Sequence, residues 1–70
     1  MKEFLAKVAE ILEVESVTAD FKFREIDEWD SLKGFSLIVL MEQDYGKEMS
    51  VEKFLSCETV NDLAKFVGVA

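Results

Sequence analysis

The chain has no His, no Pro and a single Cys in 70 residues. Each absence excludes something. Without His, the commonest general base and metal ligand is missing. With one Cys and no His, no zinc site of the usual kind can be assembled. One Cys cannot close an internal disulfide, so a reducing cytoplasm is the expected setting. Bases are scarce as well: eight Lys and Arg stand against fifteen Asp and Glu, a net charge of −7. Nucleic-acid binding needs clustered bases to replace counterions. That class is therefore excluded, and partners with basic surfaces are favoured. Long apolar runs are missing too. The longest, Leu37–Met41, is far short of the roughly 20 residues of a membrane-spanning helix. The start, Met1-Lys2-Glu3, is mixed in charge and leads into no apolar segment of a secretory leader. The expectation is a non-enzymatic, cytoplasmic, monomeric protein.

What is present suits one small core. Half of the residues are hydrophobic, six of them Phe, at a length near the lower limit for folding on an apolar core alone. No repeat or low-complexity stretch divides the chain, so residues 1–70 are read as one domain. Phe4, Leu5, Val8, Ile11 and Leu12 form one stripe at helical spacing and predict a first helix over about residues 2–13, with Lys2, Glu3, Lys7 and Glu10 on its other face. The period is lost from Val14 to Asp30. Val17, Phe21, Phe23 and Ile26 read as apolar anchors in a long loop, a feature often functional in a compact domain. Asp30 and Ser31 open a second helix over about 31–45, with Gly46 just past its end. Ser50 is placed to cap a short third helix, Val51–Leu55. Thr59 and Asp62 resemble a capping box at the start of a fourth, with Val60, Leu63, Phe66 and Val67 as its stripe and Gly68 as its stop. Nothing reads as a strand pair. The fold class expected is all-α, three main helices and one short one, with Leu5, Val8, Leu12, Leu37, Met41, Tyr45, Leu63 and Phe66 in the core. Cys57 and Met49 read as core filler, since free Cys is usually buried.

The second helix carries two stripes. Leu37, Ile38, Met41 and Tyr45 make an ordinary core face, while Leu32, Phe35 and Val39 point roughly opposite. Two readings remain: the long loop folds over the second stripe, or the stripe is an exposed docking face for a partner. Glu25, Asp27, Glu28 and Asp30 fall within six residues just upstream. They read as a solvated loop whose carboxylates favour the helix dipole, or as a docking surface for a partner's Lys and Arg. A calcium site is a third reading, but the segment lacks the Gly and the ordered oxygen ligands of an EF-hand loop.

Glu28-Trp29-Asp30-Ser31-Leu32 carries a resemblance. Asp-Ser before a helix is in itself an ordinary cap. Here it lies near the middle of the chain, after an amphipathic helix and a long loop. A long apolar helix ending Met41-Glu42-Gln43-Asp44-Tyr45-Gly46 follows, then a short helix and a final one. In motif, order, length and acidity the chain resembles the acyl and peptidyl carrier proteins over nearly its whole length, and Trp29-Asp30-Ser31-Leu32 is similar to stand-alone carriers of specialised pathways. The resemblance implies that Ser31 receives 4′-phosphopantetheine from coenzyme A through a magnesium-dependent phosphopantetheinyl transferase, and that the arm's thiol holds an acyl or aminoacyl group as a thioester. It implies further partners: a loading ligase and downstream transfer or synthase enzymes with basic docking surfaces, met by Glu25, Asp27, Glu28, Asp30, Leu32, Phe35, Val39 and Glu42. A hydroxyl at a helix start agrees with this, because the first-turn N–H groups and the dipole tolerate a phosphodiester. Lys33 stands where fatty-acid-type carriers commonly have an acid, and Ser36 and Gln43 replace further acids. The acidity has moved to the loop, which points to a dedicated partner set rather than housekeeping fatty acid synthesis. The alternative function is a small acidic adaptor that docks through Leu32, Phe35 and Val39, with Ser31 only a cap. Gly34 is costly in a helix interior, about 1 kcal/mol against Ala, and asks for a close neighbour.

Overall fold

Helices α1 (Lys2–Leu12), α2 (Ser31–Tyr45), α3 (Val51–Ser56) and α4 (Val60–Val67) follow one another in the computed structural model, which describes all 70 residues. A single 3₁₀ turn, Phe23–Glu25, lies in the long connection between α1 and α2. The all-α expectation holds, and the expected helix bounds are met to within a residue. The one piece of β-type pairing is an isolated antiparallel bridge between Lys22 and Thr59.

The helix ends follow from local chemistry. Asp30 Oδ1 accepts the Lys33 N–H at 2.9 Å, and Ser50 Oγ accepts the Lys53 N–H at 3.1 Å. At α4, Thr59 Oγ1 accepts from Asp62 N–H and Asp62 Oδ2 accepts from Thr59 N–H, the reciprocal pair that its sequence predicts. Three helices close in the left-handed conformation, at Glu13, Gly46 and Gly68. Two of these are the expected glycines. Glu13, with φ 59°, ends α1 one residue earlier than periodicity predicts, a stop that no glycine marks in the sequence.

The core joins Phe4, Val8 and Leu12 of α1, Leu37 and Met41 of α2, Phe54 of α3 and Val60, Leu63, Ala64 and Val67 of α4, with Val17 and Phe23 from the connection. Of the expected core, Leu5, Tyr45 and Phe66 are only half-buried at its margin. They flank their stripes instead of centring them. Tyr45 meets Phe4 edge-on, with ring centroids 5.4 Å apart, and lies beneath the Lys7 ammonium. Met49 and Cys57 are buried, and burial pushes the Cys57 thiol up from its ordinary value.

The long connection is tied to the helices by its backbone as well as its anchors. Phe21 and Ala19 carbonyls accept the Val60 and Asn61 N–H groups at 3.0 and 2.7 Å. These are first-turn donors of α4 that no intrahelical bond satisfies. Arg24, the chain's only Arg, donates to the carbonyl oxygens of Phe54, Leu55 and Cys57 at the end of α3, and its guanidinium lies over the Phe23 and Phe54 rings. A planar fork with several donors suits such a cluster of helix-end carbonyls.

Candidate functional site

The start of α2 is built on an aromatic layer. Trp29 and Phe54 stack with 16° between their planes and centroids 6.4 Å apart, and Phe23 lies 5.7 Å from Trp29 and 5.3 Å from Phe54. The layer presses against α2 at Gly34, where a Cβ would stand 3.2 Å from Trp29 Cζ2 and 3.3 Å from Phe54 Cε2. The close neighbour that Gly34 asks for is therefore this aromatic pair. Above the layer opens a cleft of ≈ 290 Å³, walled by Phe35, Ile38, Val51 and Leu55 and reaching Ser31.

Ser31 is the first residue of α2 and is exposed. The capping side chain is that of Asp30, not of Ser31. The N–H groups of Ser31 and Leu32 have no protein acceptor. The hydroxyl thus stands free at the positive end of a fifteen-residue helix.

The other singled-out residues divide. Leu32 and Phe35 are 74% and 64% exposed, joined across the cleft by Val51 and Leu55 at 63% and 62%. The loop therefore does not cover that side of α2 at its N-terminal end. Val39 is half-buried, so the three residues do not act as one exposed stripe. Glu25, Asp27 and Glu28 are exposed, and no group of acids is gathered closely enough to hold a metal ion. Asp30 is engaged twice, as the cap and, through Oδ2, 4.0 Å from Lys33 Nζ. Glu42 is exposed, but eleven positions from Ser31 place it about 16 Å away along the helix axis. Lys33, the departure from an acidic position, reaches Glu13 Oε1 at 3.5 Å and ties the start of α2 to the end of α1.

Comparison with known families decides the identity. The family model described as the phosphopantetheine attachment site matches residues 2–67. The chain belongs to this family, the acyl and peptidyl carrier proteins. No curated protein and no solved structure matches it. The carrier family is the attachment domain for 4′-phosphopantetheine, and it marks a carrier of a prosthetic group rather than a catalyst. The residues at the α2 start fit such a group: a free primary hydroxyl, unpaired N–H groups beside it, and an apolar cleft alongside.

Sequence reasoning missed four residues that line the cleft beside Ser31. Arg24 had a signal, as the only Arg of the chain, standing at the edge of a run of acids. Val51 and Leu55 had one in their i, i+4 spacing on a helix whose Phe54 faces inward. Trp29 as the neighbour of Gly34 had none, because the contact depends on how the connection folds back.

Proposed function

We propose that Ser31 is the phosphopantetheine attachment point of this carrier domain, and that the loaded arm presents an acyl or aminoacyl group to partner enzymes of a dedicated cytoplasmic pathway. One observation carries the reading: of the chain's hydroxyls, the one in Asp30-Ser31-Leu32 is exposed at a long helix's first position beside an apolar cleft. Ser50 and Thr59 are engaged as caps, and Ser56 donates to the Lys53 carbonyl. In the attachment step Ser31 Oγ attacks the phosphorus of coenzyme A that bears the pantetheine. A new P–O bond forms, the pyrophosphate P–O bond breaks, and adenosine 3′,5′-bisphosphate leaves. The Ser31 proton passes to a general base as the new bond forms. When bound, the arm supplies a thiol on which cargo is held as a thioester.

Glu25, Asp27 and Glu28 offer charge to basic partners, while Leu32 and Phe35 offer apolar anchors. Asp30, Val39 and Glu42 contribute less, being respectively engaged in the cap, half-buried, and distant. Under the adaptor alternative the same surface docks, but Ser31 is never modified. The test is intact mass after incubation with coenzyme A, magnesium and a broad-specificity transferase. The wild type gains one phosphopantetheine on the peptide holding Asp30-Ser31-Leu32, and Ser31→Ala gains none. Because Asp30 is the cap, Ser31→Ala melts like the wild type. Modification of Ser31→Ala, or a wild type that no transferase modifies, rules the proposal out and leaves the adaptor.

A further inference from the structure

The cleft beside Ser31 ends on an aromatic floor. Its floor is the layer of Trp29 and Phe54, backed by Phe23, with ring centroids 5.3 to 6.4 Å apart. The floor meets the α2 backbone directly at Gly34. On the core side of α2, Leu37 and Met41 are 1% and 0% exposed. Arg24 holds the floor in place, because its bonds to the carbonyls of Phe54, Leu55 and Cys57 tie α3 to the turn that carries Phe23. For anything to pass from the cleft into the core, the rings of Trp29 and Phe54 have to part.

Resting on the carrier reading of Ser31, we infer that this aromatic floor sets the cargo class: a short acyl or aminoacyl group held outside the bundle, and not a long unbranched fatty chain. The argument is one of burial. A long chain left in water exposes every methylene at a hydrophobic penalty. A carrier relieves that penalty only by enclosing the chain, and beneath the open cleft the interior is already filled with close-packed side chains, Phe23, Phe54, Leu37 and Met41 among them. Inserting a chain there is overpacking, which well-packed interiors resist. A short cargo has little to bury and needs no opening. Leu32, Phe35, Val51 and Leu55 then remain free for a partner.

The test uses the full chain. Holo-protein is first made from coenzyme A and checked by intact mass. Failure at that step overturns the carrier reading and this inference with it, whereas every later result bears on cargo class alone. Acetyl, octanoyl and dodecanoyl forms are then made from fresh apo-protein by a broad-specificity transferase and the corresponding acyl-coenzyme A. Three readouts follow: the thermal midpoint, the methyl resonances of Leu37 and Met41, and the rate at which hydroxylamine cleaves the thioester. In the wild type the expected result is no dependence on chain length in any of them. In Phe54→Ala, which removes half of the floor, the octanoyl form melts about 4–8 °C above the acetyl form, and its thioester is cleaved more slowly. Phe54→Leu makes the same comparison with a smaller opening if Phe54→Ala does not fold. A wild type whose octanoyl or dodecanoyl form melts higher than the acetyl form, with shifted Leu37 and Met41 signals and a protected thioester, overturns the inference. So does a folded Phe54 variant that remains indifferent to chain length.

Discussion

Helices α4 and α2 use their apolar residues in opposite ways. In α4, Val60, Leu63, Ala64 and Val67 are all buried, a capping box closes the start, two carbonyls of the connection satisfy the next donors, and Gly68 closes the end. In α2, Leu37 and Met41 are buried, but Leu32 and Phe35 stand in solvent, and Gly34 occupies a position where Ala would favour the helix. Every local feature of α4 points toward stability. The first half of α2 breaks those rules three times within four residues of Ser31, and such departures concentrate at functional sites.

The largest effects break the comparison at its shared element, the core. Leu37→Ala in α2 and Leu63→Ala in α4 each cost about 2–5 kcal/mol as large-to-small changes at fully buried positions. Denaturant melts measure both. A Leu37→Ala cost below about 1 kcal/mol would mean that α2 buries a different side.

Gly34 sharpens the comparison. Gly34→Leu drives a side chain into Trp29 and Phe54 and costs about 1–3 kcal/mol by overpacking. Gly34→Ala is the finer probe. It gains about 1 kcal/mol of helix propensity but meets the two rings at 3.2 and 3.3 Å. The gain is largely cancelled, and Trp29 emission shifts as the floor gives way. The full gain with unchanged emission would show a floor that yields freely.

The capping box of α4 supplies a smaller effect with a pH signature. Thr59→Ala costs about 1 kcal/mol. The Glu58 and Thr59 N–H groups donate to Asp62 and hold its carboxyl below the ordinary carboxylate value. The unfolded chain therefore takes up that proton more readily than the folded one. The stability contributed by Asp62 is present above the ordinary carboxylate range and is lost as pH falls through it toward the lower folded value. Asp62→Asn flattens the acid side of the stability curve, which thermal melts across that range record.

What was legible in the sequence was what acts locally. The α2 start and stop, the Ser50 cap and the Thr59–Asp62 box rest on contacts three or four residues apart, and each was readable. The Asp30-Ser31-Leu32 motif was readable as a resemblance. The role of Asp30 as the actual cap was not, because Asp and Ser are equally good caps and only the backbone register separates them. The α1 end was misplaced because Glu13 adopts a conformation that Gly usually signals. Arg24 on α3 and Trp29 under Gly34 join segments far apart in the chain, and periodicity carries no information about such pairs.

The smallest effect on the fold belongs to Leu32 and Phe35. Both are mostly exposed, so truncation to Ala removes little buried surface, and each variant stays within about 0.5 kcal/mol of the wild type. Their effect on docking is expected to be large, since apolar anchors dominate interface energetics. Transfer from a partner enzyme falls about tenfold or more in Phe35→Ala, equivalent to at least ~1.4 kcal/mol of docking free energy. Salt separates this contribution from the acidic one. Replacing Glu25, Asp27 and Glu28 with Gln or Asn slows association, and that loss shrinks as ionic strength rises and screens the wild-type attraction. The Phe35→Ala loss does not shrink, because apolar burial is not screened. Val39→Ala falls between the two classes, half-buried and so costing both some stability and some docking. If Phe35→Ala instead lowers the melting point as far as Leu37→Ala does, that side of α2 is covered in solution, and the contrast between α2 and α4 collapses.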